Sequence, residues 1–474
     1  MPIQKQTLLD RLPPPWPEDL LPSIRIEVMR QGKKIVVLDD DPTGNQTVHD
    51  VAVFTGWSVP MLIQLLEERN PVAYVLTNSR SLSQVDAKSV NCEIAENLML
   101  AREKTGRDFV VVSRSDSTLR GHYPAEVRAL VDALNLKVDG TLIIPFFLEG
   151  GRLTAHDVHY VAEGDLLVPA AETEYAADAT FGYTHSNLRA WVSEKHSGAI
   201  EPSEVAHVTL KTIREGGPQA VADLLGALSN EKPCVVNAVS YRDLEVFVAG
   251  LLKAESKGKR MVYRTAASFV RVRGGIAPQP LLKHSDLNFK TGGGLIVVGS
   301  HVRKTTQQLN VLRDLPGLTW VELDVPALLR SSGERDIVMA VMTEVEHAVA
   351  MGDDVVLYTS REPIVEHANL TPLQIGESVS EALVRIVSEL SCAPAWVVAK
   401  GGITSSVIAT QALNVERAEV LGQAIPGVPV WQTGRESRWP NLPYVVFPGN
   451  VGDVEALSRM VRILRGDQAS YAEA

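Results

Sequence analysis

Lys34–Gly44 reads KIVVLDDDPTG: a short run of mostly branched apolar side chains, three carboxylates in a row, then a Pro-Thr-Gly turn. A continuous apolar run, as opposed to an alternating one, predicts a strand buried on both faces. The abrupt passage to charge predicts that strand's carboxyl end, where open α/β sheets place their ligands. The same grammar recurs at Ala73–Thr77 (AYVLT), Phe109–Ser113 (FVVVS) and Thr141–Pro145 (TLIIP). It returns at Cys234–Ala238, Leu295–Val298, Val355–Tyr358, Trp396–Ala399 and Tyr444–Phe447. Amphipathic stretches such as 58–69, 124–136 and 453–465 fall between the runs. Together they predict βαβ units, and so an α/β fold with mostly parallel sheets.

Working outward, residues 274–294 (GGIAPQPLLKHSDLNFKTGGG) hold two prolines, five glycines and no helical period, which marks a linker. The expected organisation is an N-terminal extension over 1–30, a first α/β domain over 31–275, a linker over 276–294 and a second α/β domain over 295–474. The chain has 474 residues, 45% of them hydrophobic, enough for buried cores. Its net charge of −11 makes it a poor coat for nucleic acid or an anionic membrane, without excluding a local basic pocket. Cys92, Cys234 and Cys392 lie far apart with no CxxC, which predicts neither a disulfide framework nor a zinc site. The opening MPIQKQTLLDRLPPPWPEDLLP has no apolar h-region, and no run approaches 18 apolar residues, so a cytoplasmic protein is expected.

The segments after the strands carry the chemistry. Asp39, Asp40 and Asp41 at one strand end repel one another unless cations relieve them, which suits a base or a metal-linked acid. After FVVVS comes Arg114-Ser115-Asp116-Ser117-Thr118-Leu119-Arg120-Gly121-His122. Guanidinium groups, hydroxyls and a carboxylate so close together suit a small polyhydroxylated anion, because Arg can hold a carboxylate with two parallel hydrogen bonds. After AYVLT comes Asn78-Ser79-Arg80-Ser81, and after TLIIP comes Glu149-Gly150-Gly151-Arg152. In a parallel sheet these four strand ends converge on one pocket. His156 and His159 have metal-like spacing, but with only Asp157 beside them they make no metal site.

The second half repeats strand, glycine turn, helix. The turns are Gly299-Ser300, then Lys400-Gly401-Gly402-Ile403-Thr404, then Pro448-Gly449-Asn450. Glycine lets backbone approach a phosphate, and helix N-termini present free N–H groups to it, so three such turns predict a polyphosphate site. Neither GxxxxGK[ST] nor G-x-G-x-x-G occurs, which excludes the two commonest nucleotide motifs.

Taken together, DDDPTG at 39–44, SRSDSTLRGH at 113–122, GGRLT at 150–154, GSHVRKT at 299–305, KGGITSS at 400–406 and PGNVGD at 448–453 resemble the four-carbon acid sugar kinase family. The resemblance runs from about Lys34 to about Arg465. It implies that the first domain binds an acid sugar and the second ATP, with Mg²⁺ on the phosphates. It also implies transfer of the γ-phosphoryl group to a terminal hydroxyl of threonate, erythronate or 3-oxo-tetronate, or of a branched analogue such as 3-oxo-isoapionate. Asp40 and Asp41 match the family's Asp pair, and Arg80 the arginine of its SR element. Asp116, Ser117, Thr118, Arg120 and Gly121 match DSTLRG. Ser300 matches the nucleotide-contacting serine, Gly401 to Thr404 the ATP loop and Gly449 the glycine of the last loop. Two departures stand out: Arg114 replaces a common lysine, and Asp39 and Pro42 replace smaller or aliphatic residues.

The resulting expectation is in-line phosphoryl transfer in a cleft between the domains. Asp40 or Asp41 would accept the hydroxyl proton. Ser79, Arg80, Arg114, Arg152 and the DSTLRG residues would hold the sugar acid. Ser300, Lys400, Gly401, Gly402, Ile403, Thr404, Gly449 and Asn450 would hold the nucleotide, with Gly292–Gly294 as hinge. The expected partners are the sugar acid and ATP, without nucleic acid or membrane, and a homodimer is left open. A non-catalytic sugar-acid sensor is the rival from another class. An oxidoreductase acting on hydroxy acids is disfavoured by the missing dinucleotide fingerprint.

Overall fold

The computed structural model describes residues 2–330, 334–362 and 371–467. The chain forms two compact units, Met1–Pro278 and Gln279–Ala474.

The first unit is built on eight parallel strands. Their order across the sheet is Ala206–Val208, Lys232–Val236, Gly140–Ile144, Met261–Thr265, Phe109–Arg114, Lys34–Asp39, Val72–Leu76 and Val51–Phe54. Lys34–Asp39 lies near the middle and is buried at every position, as its unbroken apolar run predicts. Val36, Ala73, Val75 and Phe54 pack against Leu62, Leu65, Ile94 and Leu98 of the helices Val59–Glu67 and Gln84–Thr105. Each fully buried Val, Leu or Ile side chain contributes about 1.5–3 kcal/mol. The Gln84–Thr105 helix starts where the Ser83 side chain accepts a hydrogen bond from Asp86 N and stops at left-handed Gly106.

Because every strand points the same way, the carboxyl ends of Lys34–Asp39, Val72–Leu76, Phe109–Arg114 and Met261–Thr265 open on one edge. Register makes this concrete: Asp39 stands beside Leu76 on one side and Arg114 on the other, and Arg114 stands beside Thr265. A second, antiparallel sheet orders Ile3–Gln4, Leu166–Pro169, Val158–Glu163 and Arg152–Ala155. The first thirty residues are therefore joined to this unit. Ile3 pairs with Leu167, Arg214 donates to the Pro13 carbonyl at 2.7 Å, and the helix Leu21–Gln31 buries Ile24 and Val28. Sequence-local signals cannot show a pairing partner some 160 residues away.

Among its described residues the second unit has five parallel strands in the order Pro443–Phe447, Val397–Lys400, Leu295–Val298, Asp354–Thr359 and Leu318–Leu323. The hairpin of Arg417–Ile425 and Val428–Thr433 adds antiparallel to Pro443–Phe447. The Pro/Gly-rich stretch is not a free tether over its whole length. Leu282 and Leu287 are buried in this unit's core, and Leu282 N donates to the Gln423 carbonyl at 2.7 Å. Gly293 and Gly294 are tied at the sheet edge: their carbonyls accept from Ala395 N and Val355 N at 2.8 Å each, and Gly294 N donates to Asp354 Oδ1 at 2.6 Å. Gly293 and Gly294 are thus bonded to neighbouring strands, whereas Gly292, at φ +134°, has open space where a Cβ would stand. Among the described residues no helix is long and apolar enough to cross a membrane.

Candidate functional site

The carboxyl edge of the first unit gathers the predicted charges. Arg80 Nη2 lies 2.5 Å from Asp41 Oδ2 and 3.7 Å from Asp40 Oδ1, while its Nη1 lies 3.4 Å from Asp116 Oδ1. Arg114 Nη1 lies 2.9 Å from Asp39 and 3.3 Å from Asp40. Arg120 Nε lies 2.8 Å from Asp116, and its Nη1 lies 3.6 Å from Asp178. Thus Asp40, Asp41, Asp116, Arg80, Arg114 and Arg120 form one network, as the parallel sheet requires. Ser115 Oγ donates to Asp40 Oδ2 at 2.7 Å, and Thr118 Oγ1 donates to Asp116. Gly44 explains the glycine of DDDPTG: a Cβ there would stand 2.1 Å from Asp39 Oδ1 and 2.3 Å from Arg114 Cζ. The two departures from the family pattern, Asp39 and Arg114, therefore contact each other, and the Gly44 backbone closes over their pair.

Burial disfavours the charged form throughout this network, and neighbouring charges decide the outcome site by site. At Asp41 burial is the largest influence, yet Arg80, Arg114 and the hydrogen bonds from Thr43 together outweigh it and hold the carboxyl below its ordinary value. Asp116 is likewise desolvated but is driven far down by Arg120 and Arg80. At Asp39 burial wins over Arg114 and lifts the carboxyl to about 8. Arg80, desolvated as it is, is raised by its ring of carboxylates. Exposure separates the aspartates: the side chains of Asp39 and Asp40 are 1% and 4% exposed, whereas Asp41 is 21% exposed. Among the three, Asp41 is the one a ligand can reach.

Several side chains clamp this loop from below. Arg264, 1% exposed, donates to the carbonyls of Asp116 at 2.9 Å and Arg120 at 2.8 Å, and to Ser115 Oγ at 3.3 Å. His159 bonds the Ser117 carbonyl through Nε2 at 2.7 Å and Thr154 Oγ1 through Nδ1 at 2.9 Å. Tyr183 donates its hydroxyl to the Thr118 carbonyl at 2.8 Å. His159 is thus a loop anchor, its pKa pushed down to about 4 by burial. Arg120 and Arg152 both lie over the Tyr175 ring, at 5.2 and 5.8 Å. Ser79 is buried beneath the network, its hydroxyl accepting from Thr77 Oγ1 at 3.1 Å. Gly121 packs on Ser115 and Asp40, where its φ of +115° suits a residue without Cβ. The cavity of about 330 Å³ lined by Met99, Phe109, Val127, Met261 and Tyr263 gathers none of the predicted site residues.

In the second unit the three glycine turns meet. Thr305 Oγ1 donates to the Gly449 carbonyl at 3.0 Å and to Ser300 Oγ at 3.2 Å. Gly401 has φ +120°, and a Cβ on it would sit 3.0 Å from Ser300 Cβ, so a side chain would fill the space between the turns. Thr404 is buried and Ile403 is 64% exposed, both within the helix Gly402–Val407. Asn450 is exposed. Lys400 is fully buried, and its amine bonds the carbonyls of Pro448 at 2.5 Å and Gly449 at 3.3 Å. Burial holds that amine well below its ordinary pKa. Lys400 thus stitches the Lys400 and Pro448 turns together. Arg361 also enters here, donating to the Ser300 carbonyl at 2.7 Å and Thr306 Oγ1 at 2.9 Å.

Two folded units, one with a side-chain charge network and one with converging glycine turns, define a two-ligand α/β protein, and comparison with known proteins gives that class its name. A family model for a sugar-binding N-terminal domain matches residues 35–273, and one for a nucleotide-binding C-terminal domain matches residues 295–457. The chain belongs to the family these domains define, with the four-carbon acid sugar kinase architecture. A Salmonella typhimurium LT2 protein carrying a provisional tRNA synthase name shares the fold at TM-score 0.66 and 18% identity, over 90% of this chain and 99% of that one. A Haemophilus influenzae protein classed with a domain of unknown function does so at TM-score 0.59 and 17% identity, over 90% and 100%. A comparison with curated proteins gives no match.

Arg264, Tyr183 and Arg361 escape the sequence reading, and His159 enters it only as half of a discounted metal pair. Met261–Thr265 (MVYRT) fails the apolar-run test because Arg264 interrupts it. His159 and Tyr183 reach the loop from the second sheet and a distant turn. Arg361, by contrast, comes just after the run Val355–Tyr358, so reading that strand's end as the others are read leads to it.

Proposed function

We propose that the protein is an ATP-dependent kinase that phosphorylates the terminal hydroxyl of a four-carbon acid sugar, such as threonate, erythronate or 3-oxo-tetronate, or of a branched analogue such as 3-oxo-isoapionate. The observation that carries this reading is the Asp41–Arg80–Asp116 bridge: a reachable carboxylate beside guanidinium groups, in a unit matched by a sugar-binding model, within a chain that also has a nucleotide-binding unit.

In this reading the substrate carboxylate binds Arg120 and Arg152, whose guanidinium groups both pack on the Tyr175 ring. Arg80 and Arg114 are largely engaged by aspartates, and their charge offsets that of the incoming anion. Asp41 takes the proton from the terminal hydroxyl. The freed oxygen bonds to the γ-phosphorus as the bond from that phosphorus to the ADP oxygen breaks, and ADP leaves. Asp40, locked by Ser115 and Arg114, positions the network. Reaction requires hydroxyl oxygen and phosphorus to approach to about 3–3.5 Å. The glycine cradle that a Cβ at Gly401 would fill fits a polyphosphate. In this reading Mg²⁺ bound to the ATP phosphates would neutralise part of their charge.

The test is a coupled ADP-release assay over a panel of four- and five-carbon sugar acids, with the product's phosphate position read by phosphorus NMR. Release that depends on one or a few four-carbon acids is expected. Tight binding of such an acid with no release above the ATP-only background would make the protein a sensor.

A further inference from the structure

Arg361 leaves the sheet at the end of Asp354–Thr359, the strand that pairs in parallel with Leu295–Val298, where Val298 stands beside Tyr358. Register therefore brings it to the Ser300 turn. One nitrogen, Nη2, holds that turn by donating to the Ser300 carbonyl at 2.7 Å and to Thr306 Oγ1 at 2.9 Å. The other two, Nε and Nη1, are buried with no hydrogen-bond partner among the described residues.

A guanidinium is always charged and offers its donors in a planar fork. Leaving half of that fork buried and unpaired is costly, because the desolvation penalty has nothing to offset it. Among the described residues no carboxylate lies within ion-pair distance of Arg361, whereas Arg80, Arg114 and Arg120 in the first unit each have one or more. Burial lowers the Arg361 pKa. Its charge reaches His301, whose pKa falls through burial and through Arg361. The groups it bonds are a backbone carbonyl and a hydroxyl, of Ser300 and Thr306, with Thr305, Gly401 and Gly449 beside Ser300 and the Lys304 charge close enough to act on Lys400. Backbone N–H groups and hydroxyls can cradle phosphate oxygens, but they do not cancel a polyphosphate's charge.

We propose that Arg361 is the phosphate-binding cation of the nucleotide-binding unit, holding the Ser300 turn with one nitrogen and presenting its unpaired edge to the polyphosphate of the nucleotide. The proposal rests on the nucleotide-binding reading of this unit and adds the residue that recognises the ligand's charge. It also states a specificity rule: the contribution of Arg361 grows with the number of phosphates and vanishes for the nucleoside.

The experiment measures displacement of a fluorescent ATP analogue from the full-length protein by ATP, ADP and adenosine, for wild type, Arg361→Gln and Arg361→Lys. Loss of a charge-assisted contact is expected to weaken ATP by roughly 10- to 100-fold in Arg361→Gln, to weaken ADP less, and to leave adenosine unchanged. Arg361→Lys, which keeps the charge without the fork, should fall between. Circular dichroism checks that each variant is folded, and Arg361→Lys carries the test if Arg361→Gln is not. Equal ATP affinity in wild type and Arg361→Gln would overturn the proposal while leaving nucleotide binding standing. An equal loss for ATP and adenosine would overturn it as well, since Arg361 would then only shape the turn. Failure of the wild type to bind any of the three would refute the nucleotide reading itself.

Discussion

On the proposed function the two units solve the same problem, holding an anion, by opposite means. In the first, guanidinium groups and carboxylates alternate in direct contact, so that nearly every charge is cancelled before a ligand arrives. In the second, turns and hydroxyls from three strand ends meet around Ser300, and the one buried guanidinium among them has no carboxylate partner among the described residues. The contrast suits two different ligands. A small polyhydroxylated acid must be told apart from its relatives by geometry, which a rigid net of paired side chains provides. A polyphosphate is recognised by repeated negative oxygens, which backbone donors and one unpaired cation serve without side-chain detail.

The largest expected effect is on the chemistry of the first unit. Asp41→Asn keeps shape but removes proton acceptance, and is expected to lower kcat by roughly 10²- to 10⁴-fold with sugar-acid affinity largely kept. Asp40→Asn should cost less, because Asp40 is buried and acts through Ser115 and Arg114. Steady-state kinetics check both, and the reverse order would move the base to Asp40. Next comes the clamp. Arg264→Gln loosens the Asp116 and Arg120 carbonyls, and a displacement of about 1 Å costs on the order of 10²-fold in kcat/KM. Nucleotide affinity should stay at the wild-type value, and a parallel loss of ATP binding would blur the division between the units.

How far the sequence reveals this division depends on the kind of signal. The strands and the charged loops after them are legible because burial on both faces writes a continuous apolar run, and because a parallel sheet must deliver such loops to one edge. Asp40, Asp41, Arg80, Arg114, Asp116 and Arg120 are therefore readable as a group. Arg264 is not, since it breaks the very run that would announce its strand. Nor can a sequence say which of three adjacent aspartates is reachable: that depends on the register of Asp39 against Arg114 and on the Gly44 backbone above them. Lys400 shows a further limit. A lysine in a glycine turn reads as a phosphate ligand, but the sequence does not show that two of the ammonium's three donors go to the Pro448 and Gly449 carbonyls.

The electrostatic side of the comparison shows in stability. Arg80→Gln leaves Asp41 and Asp116 desolvated without their shared cation, and breaking a buried pair costs about 3–5 kcal/mol. Both carboxyls are held below the ordinary 3.8 in the folded protein. The stability they confer is full above that value and is lost as the pH falls through their lowered values. The drop in Tm caused by Arg80→Gln should therefore be largest near pH 7 and shrink toward pH 3, where protonation relieves the variant. A drop that does not change with pH would mean that Arg80 only packs. The smallest effect expected is that of Gly401→Ala, where the added Cβ meets Ser300 and the φ of +120° is strained. ATP affinity should fall by roughly tenfold, the order of a single weakened phosphate contact, with sugar-acid affinity unchanged.

Calorimetric titration of each ligand separately into Arg120→Gln and Gly401→Ala, with the wild type alongside, tests the separation of tasks most directly. Arg120→Gln should lose affinity for the sugar acid and keep it for a non-hydrolysable ATP analogue, and Gly401→Ala should do the reverse. Equal losses for both ligands in either folded variant would contradict a protein that reads an acid sugar with side chains in one unit and a nucleotide with backbone in the other.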